Sequence, residues 1–168
     1  SNQNRLLMGD DVTWMDFAAR RLGPQPFVSR ALFAHVAQRG QARETRHNAQ
    51  LQMVFSLQSD KRGLAALRLF QHAGLEVDAI DNQVRYLLGA IAEGQNLPAA
   101  VLHFWEGLNA PPNTGTEEWQ LRIATAALRA GMMERAVLAL KTVIGAGKML
   151  PAELAQRSVA LVQEMVDA

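Results

Sequence analysis

Apolar side chains recur along this chain at spacings of three and four residues, and alternating apolar and polar runs are missing. This spacing places apolar residues on one face of an α-helix, whereas a half-buried strand needs a period of two. Glycines and prolines fall between the periodic stretches, where helices end. The pattern therefore predicts nine helices, at about residues 11–22, 26–39, 42–58, 61–73, 79–93, 97–109, 116–130, 132–146 and 151–166.

Local signals mark several of the predicted helix ends. Asp78 carries a short carboxylate of the kind that N-cap positions favour, so we expect it to cap the helix at 79–93. Pro98 lies in a predicted first helical turn, where a missing N–H costs little. Gly74 and Gly131 follow predicted helices, where a left-handed residue is favoured.

Three stretches of the chain share one pattern: GLAALRLFQHAGLEVD, LPAAVLHFWEGLNAPP and MERAVLALKTVIGAGK. The pattern is a small residue, a large apolar residue four positions later and a small residue three positions after that, with Val143 in the last place of the third stretch. Small residues let neighbouring helices approach closely, and the large ones fill the grooves between them. The aligned positions are Ala66, Phe70 and Ala73, then Ala100, Phe104 and Gly107, then Ala136, Leu140 and Val143.

This pattern, in the second helix of a helix pair about 34 residues long, resembles the tetratricopeptide repeat. The resemblance implies an all-α, right-handed solenoid of antiparallel helix hairpins, in which neighbouring pairs stack to bury their apolar faces. The consensus aromatic of the first helix is replaced by Gln50, Val84 and Gln120, so the repeats are degenerate, and a related helical-hairpin solenoid also fits. We expect a single domain at 3–168, with repeats at about 11–40, 47–80, 81–114 and 117–148 and a capping helix at 151–166.

In this family the first helices of the repeats line a concave groove, so the resemblance implies that binding takes place there. Three arginines in that register suit charge-assisted bonds to carboxylates, and aromatic rings there supply contact area. The expected partner is a protein or peptide that is acidic or carboxyl-terminated, with an anionic polymer as an alternative. The candidate binding residues are Asn48, Gln52, Phe55, Asn82, Arg85, Tyr86, Arg122, Thr125 and Arg129; Leu51, Gly89, Glu93, Glu118 and Leu121 share the same face.

The segment LHFWEG offers a different kind of candidate site. His103 and Glu106 are three residues apart on a helix and can touch, but an acid–base or metal site needs a nucleophile or a further ligand. No HExxH, GxSxG or Walker-type motif is present. In the repeat register Phe104 is the buried aromatic, which places His103 and Glu106 on the outer side, and Trp105 is expected to pack against the next repeat. We therefore predict no catalytic site, no metal site and no cofactor.

Composition narrows the function further. The 17 basic and 16 acidic residues give a net charge of +1, which argues against a dedicated nucleic-acid binder. The absence of cysteine excludes disulfides, thiolate zinc sites and a cysteine nucleophile, and it favours a bacterial periplasmic location slightly over the cytoplasm. No apolar run approaches the roughly 18 residues that suggest a membrane span.

The sequence therefore favours a non-catalytic scaffold that binds a partner protein or peptide in the groove. The alternative is a structural spacer or self-association module of a bacterial envelope protein, as the tetratricopeptide segments of exopolysaccharide secretion systems are. The opening SNQNRLLMGD has no initiator methionine, and its first two residues look like a vector scar. We accordingly expect the chain to be a piece of a longer protein.

Overall fold

The computed structural model describes residue 15 and residues 25–168. These residues form α-helices and two short 3-10 turns, Val77–Ala79 and Gly147–Met149, and contain no strand. The all-α prediction is thereby confirmed. The helix predicted at 11–22 lies outside the described residues except for Met15. The eight helices are α1 (Pro26–Arg39), α2 (Arg43–Ser59), α3 (Gly63–His72), α4 (Asn82–Gly94), α5 (Pro98–Trp105), α6 (Thr116–Arg129), α7 (Met133–Ile144) and α8 (Ala152–Asp167).

The chain divides into two compact units, Ser1–Ala79 and Ile80–Ala168. In the described part of the first unit, α2 packs against both α1 and α3. Its core holds Phe33 and Val54, and the half-buried region beside them contains an ion pair between Arg30 and Asp60 at 3.1 Å. The prediction of one domain over 3–168 stays a prediction.

The second unit contains two helix pairs and a final helix. Helices α4 and α5 pack together across the connection 95–97, and α6 and α7 do so across 130–132. Helix α5 also contacts α6, and α8 contacts both α6 and α7. The apolar faces of these helices meet in a core that includes Leu88, Val101, Leu121, Ala127, Leu140 and Leu161.

The repeat register predicts most of the buried positions correctly. Ala66, Ala136 and the large residues Phe70, Phe104 and Leu140 are all buried. The expectation that Gly107 is a close-contact residue is wrong. It lies beyond the end of α5, is exposed, and has a φ of +71° with no neighbouring atom within 4 Å of an added Cβ. Its glycine is explained by the left-handed backbone rather than by helix packing.

Helix α4 starts later than the sequence suggests. Asp78 falls inside the 3-10 turn, and the cap is Asp81, whose Oδ1 accepts a hydrogen bond from the Gln83 backbone N–H at 2.8 Å. Gly74 and Gly131 do adopt the left-handed conformation, with φ of +65° and +77°. No helix within the described residues has the length and apolar character needed to cross a membrane.

Candidate binding cleft

An aromatic cluster joins α4, α5 and α6 in the second unit. The rings of Trp105 and Trp119 are both almost fully buried, with their centroids 4.5 Å apart. Tyr86 meets Trp119 edge to face at 5.6 Å, an arrangement that aromatic pairs favour. The indole N–H groups are satisfied by backbone carbonyls, since Trp105 Nε1 donates to Tyr86 at 3.2 Å and Trp119 Nε1 donates to Leu108 at 3.3 Å. The prediction that Trp105 packs is confirmed.

Gly89 provides the space that the Trp105 ring occupies. A Cβ atom built on Gly89 would lie 1.9 Å from Trp105 Nε1 and 2.4 Å from two ring carbons. Real side chains do not approach so closely, so only glycine allows α4 and the end of α5 to meet here. The sequence projection placed Gly89 on the groove face; the structure gives it this packing role.

The aromatic cluster also fixes the position of Arg122, which comes from α6. Its guanidinium carbon lies 4.6 Å from the Trp105 ring centroid and 5.6 Å from that of Trp119, a cation–π geometry. The same guanidinium forms two bonds with Glu93 on α4, Nε to Oε2 at 3.0 Å and Nη2 to Oε1 at 2.7 Å. Arg122 is therefore held by rings on one side and a carboxylate on another.

A second arginine–glutamate pair makes the same kind of connection between α6 and α8. Arg157 on α8 donates to both carboxylate oxygens of Glu118 on α6, at 3.0 and 2.8 Å. Each pair thus joins one helix to the next helix but one along the chain: α4 to α6, then α6 to α8. Arg157 follows Arg122 by 35 residues, close to the repeat length. Arg157 is not among the predicted binding residues, because it lies in the predicted capping helix at 151–166.

Arg122, Glu93 and Arg157 from these pairs border a cleft of about 200 Å³. Its polar wall contains Arg122, Thr125 and Arg129 from α6, together with Arg157 and Glu93. Its apolar lining comes from the start of α5 and from α6, through Leu97, Pro98, Val101 and Ala126. An open surface with several guanidinium groups and an apolar base suits a carboxylate carried on a polypeptide.

Arg129 differs from the other two arginines of the cleft. Like Arg157 it is exposed, but no carboxylate of the described residues pairs with it. Thr125 lies one helical turn before it and donates its hydroxyl to the Leu121 carbonyl at 2.8 Å, which leaves the hydroxyl oxygen free to accept a hydrogen bond. The uncompensated positive charge of the cleft is therefore at Arg129.

Arg85 and Tyr86 lie on α4, and their side chains donate hydrogen bonds to backbone carbonyls of the chain itself. Arg85 donates to the backbone carbonyls of Phe104 at 2.9 Å and Glu106 at 2.6 Å. The Tyr86 hydroxyl donates to the carbonyl of Asn109. Both side chains therefore hold the end of α5 and the loop after it. Asn82 is exposed in the first turn of α4.

The remaining candidate residues belong to the first unit. Asn48 and Gln52 are exposed on α2, and Phe55 is half-buried. Gln52 and Phe55 border a shallow hollow of about 410 Å³ whose other lining includes Phe33 and Asp60. Of the nine predicted binding residues, the structure thus brings Arg122, Thr125 and Arg129 into one cleft and places the other six elsewhere.

His103 and Glu106 are exposed, as the repeat register predicts. No ion pair or hydrogen bond joins their side chains within the described part of the chain. Over residues 25–168, no three or more histidine, aspartate or glutamate side chains lie grouped as a metal site requires.

Comparison with protein-family models, with curated proteins and with solved structures gives no match.

Proposed function

We propose that this chain is a non-catalytic interaction module that binds an acidic segment of a partner protein in the cleft between α4, α6 and α8. The observation that carries the proposal is Arg129, an exposed guanidinium without an acidic partner among the described residues, beside Arg122 and Arg157. A guanidinium presents a planar fork of N–H donors that matches the two oxygens of a carboxylate.

The size of the cleft favours a polypeptide over a small molecule. At about 200 Å³ it is smaller than the roughly 300–1,000 Å³ of sites that enclose drug-sized ligands. It has room for one acidic side chain or a chain terminus, with neighbouring apolar groups resting on Leu97 and Val101. We therefore expect recognition of a short segment, with moderate affinity and strong dependence on salt.

The proposal includes the finer architecture that the repeat pattern predicts. Stacked helix pairs of the tetratricopeptide type would form a right-handed solenoid, with first helices sharing one surface. Support comes from the two ion pairs, Arg122 with Glu93 and Arg157 with Glu118, since each links consecutive first helices.

The test is fluorescence anisotropy with a labelled peptide of alternating glutamate and alanine, compared with its glutamine counterpart. Binding of the acidic peptide alone, lost in Arg129→Glu, supports the proposal. Arg68→Glu is the matched control, because Arg68 is also exposed but lies on α3 in the first unit. Equal affinity of the wild type and Arg129→Glu for the acidic peptide would show that the cleft is not the binding site.

A second candidate function is self-association through α8. Val159, Val162 and Val166 form an exposed apolar stripe on this helix, spaced at one- and two-turn intervals. A two-fold axis would place this stripe against the stripe of a second copy, with Val159 of each copy facing Val162 of the other. Light scattering over a range of protein concentrations tests this: a dimer that the Val159→Glu, Val162→Glu double variant dissociates supports it, and a concentration-independent monomer removes it.

A further inference from the structure

We propose that Glu93 is a built-in competitor for the ligand carboxylate, and that this internal competition sets the affinity and selectivity of the cleft. The inference rests on the proposed function of the cleft. Glu93 makes the same two-oxygen contact with Arg122 that an incoming carboxylate would make, at 3.0 and 2.7 Å. Its carboxylate therefore occupies the position of the ligand in the free protein.

The two partners of this ion pair are held unequally. The Arg122 side chain is 24% exposed and is fixed by Trp105 and Trp119, whose rings are almost fully buried. The Glu93 side chain is 41% exposed and lies in the last turns of α4. When the pair opens, Glu93 can turn into water while Arg122 stays over the rings. The pair thus has a fixed cation and an exchangeable anion.

The pair between Arg157 and Glu118 lacks this asymmetry. Both side chains are similarly exposed, at 41% and 36%, and no aromatic ring of the described residues stacks on Arg157. Releasing Arg157 would leave a mobile guanidinium that has to be ordered again when the ligand binds. Removing Glu118 should consequently improve binding less than removing Glu93 does.

Competition by Glu93 makes the cleft selective for ionised, two-oxygen ligands. Exposed ion pairs change an equilibrium constant by a factor of about 1.5–5. A ligand carboxylate replaces the bidentate contact between Glu93 and Arg122 with a bidentate contact of its own. It gains a contact with Arg129 in addition. A neutral amide would exchange a charged contact for a weaker one, so Glu93 keeps it out.

The experiment measures the affinity of the full chain for the labelled glutamate–alanine peptide at about 0.15 M salt, where distant surface charges are largely screened. We expect Glu93→Gln to bind about two- to five-fold more tightly than the wild type. Glu118→Gln should show a smaller gain. Glu134→Gln, which removes the same charge from an exposed position on α7, should leave the affinity unchanged.

A double variant, Glu93→Gln with Arg122→Gln, tests whether the gain acts through Arg122. We expect the double variant to bind no more tightly than Arg122→Gln alone, with circular dichroism showing that the helices are retained in both. If the wild type binds and Arg129→Glu does not, but Glu93→Gln binds no better, the competitor role is wrong while the proposed function stands. If neither the wild type nor Glu93→Gln binds the peptide, the proposed function fails and the competitor role fails with it.

Discussion

Gly89 is the residue on which the geometry of the cleft depends most, because the Trp105 ring that supports Arg122 lies directly against it. Trp105 is 2% exposed and also packs on Trp119, so it has no free space to move into. A methyl group at position 89 would push the indole out of place and disturb the guanidinium above it.

We predict that Gly89→Ala lowers the free energy of unfolding by about 1–3 kcal/mol, the usual cost of overpacking a core. Gly94→Ala is the matched control, since it lies on the same helix with no atom within 4 Å of its added Cβ. There alanine should leave the stability unchanged or raise it slightly, by less than the roughly 0.5–1 kcal/mol of a helix interior, because Gly94 is the last residue of the helix. Urea unfolding measures the stability of both variants. Equal stabilities of Gly89→Ala and Gly94→Ala would contradict the close contact between Gly89 and the Trp105 ring.

Arg85 tests a second assignment at the scale of single residues. Its bonds to the carbonyls of Phe104 and Glu106 lead us to expect a structural role, in contrast to the groove role that the sequence suggested. We predict that Arg85→Ala lowers the free energy of unfolding by roughly 1.5–3 kcal/mol, as loss of charged hydrogen bonds does. Its affinity for the acidic peptide should match the wild type; a large loss of affinity in a stably folded variant would restore Arg85 to the binding site.

Sequence reasoning succeeds at single residues where the answer is local. The helical register correctly predicts that Phe104 and Trp105 are buried and that His103 is exposed, because the face on which a helical residue lies depends on spacing alone. It does not reveal the contacts of Gly89 and Arg85, which depend on how closely α4 approaches the end of α5. The partners of Arg85 lie 19 and 21 positions away along the chain, and no short pattern encodes that approach.

Whole helices were the most predictable feature of this chain. The periodicity of α6 and α7 gives their positions to within two residues, since it reflects a continuous buried face. Helix α5 deviates most: the sequence predicts that it reaches about 109, and it ends at Trp105. Glu106 leaves the helical conformation, with ψ of 128°, and Arg85 bonds the carbonyls there. A tertiary contact thus replaces the helical bonds that the local sequence would allow.

Helix α8 permits a test of how an element docks. Leu161 is 4% exposed, whereas Val159 on a neighbouring face is 70% exposed. We predict that Leu161→Ala lowers the free energy of unfolding by about 2–5 kcal/mol and that Val159→Ala changes it by no more than about 0.5 kcal/mol. Thermal and urea unfolding measure both. A similar loss in the two variants would mean that α8 is rotated from the orientation described.

At the scale of the whole molecule, the chain forms two units, each of which is compact by itself. The stacking of all repeats into one solenoid was inferred from the repeat pattern and stays a prediction. It cannot be derived from local spacing, because the junction of successive pairs depends on contacts between residues far apart in the chain. The cleft needs only residues 80–168, since all of its lining belongs to them.

We therefore predict that residues 80–168 fold alone. Expressed as a fragment, they should give a helical circular dichroism spectrum and a cooperative urea transition. The fragment should also bind the acidic peptide with the affinity of the full chain. A helical signal without a cooperative transition would show that the second unit depends on the first.

The central claim is that a carboxylate ligand binds in the cleft beside Arg129, and nuclear magnetic resonance tests it most directly. The ¹⁵N-labelled chain would be titrated with the glutamate–alanine peptide while backbone amide and arginine Nε signals are followed. We predict saturable shifts at Arg122, Thr125 and Arg129, with the Arg85 Nε signal unchanged. Saturable shifts confined to other surfaces, or no shifts at millimolar peptide, would contradict it.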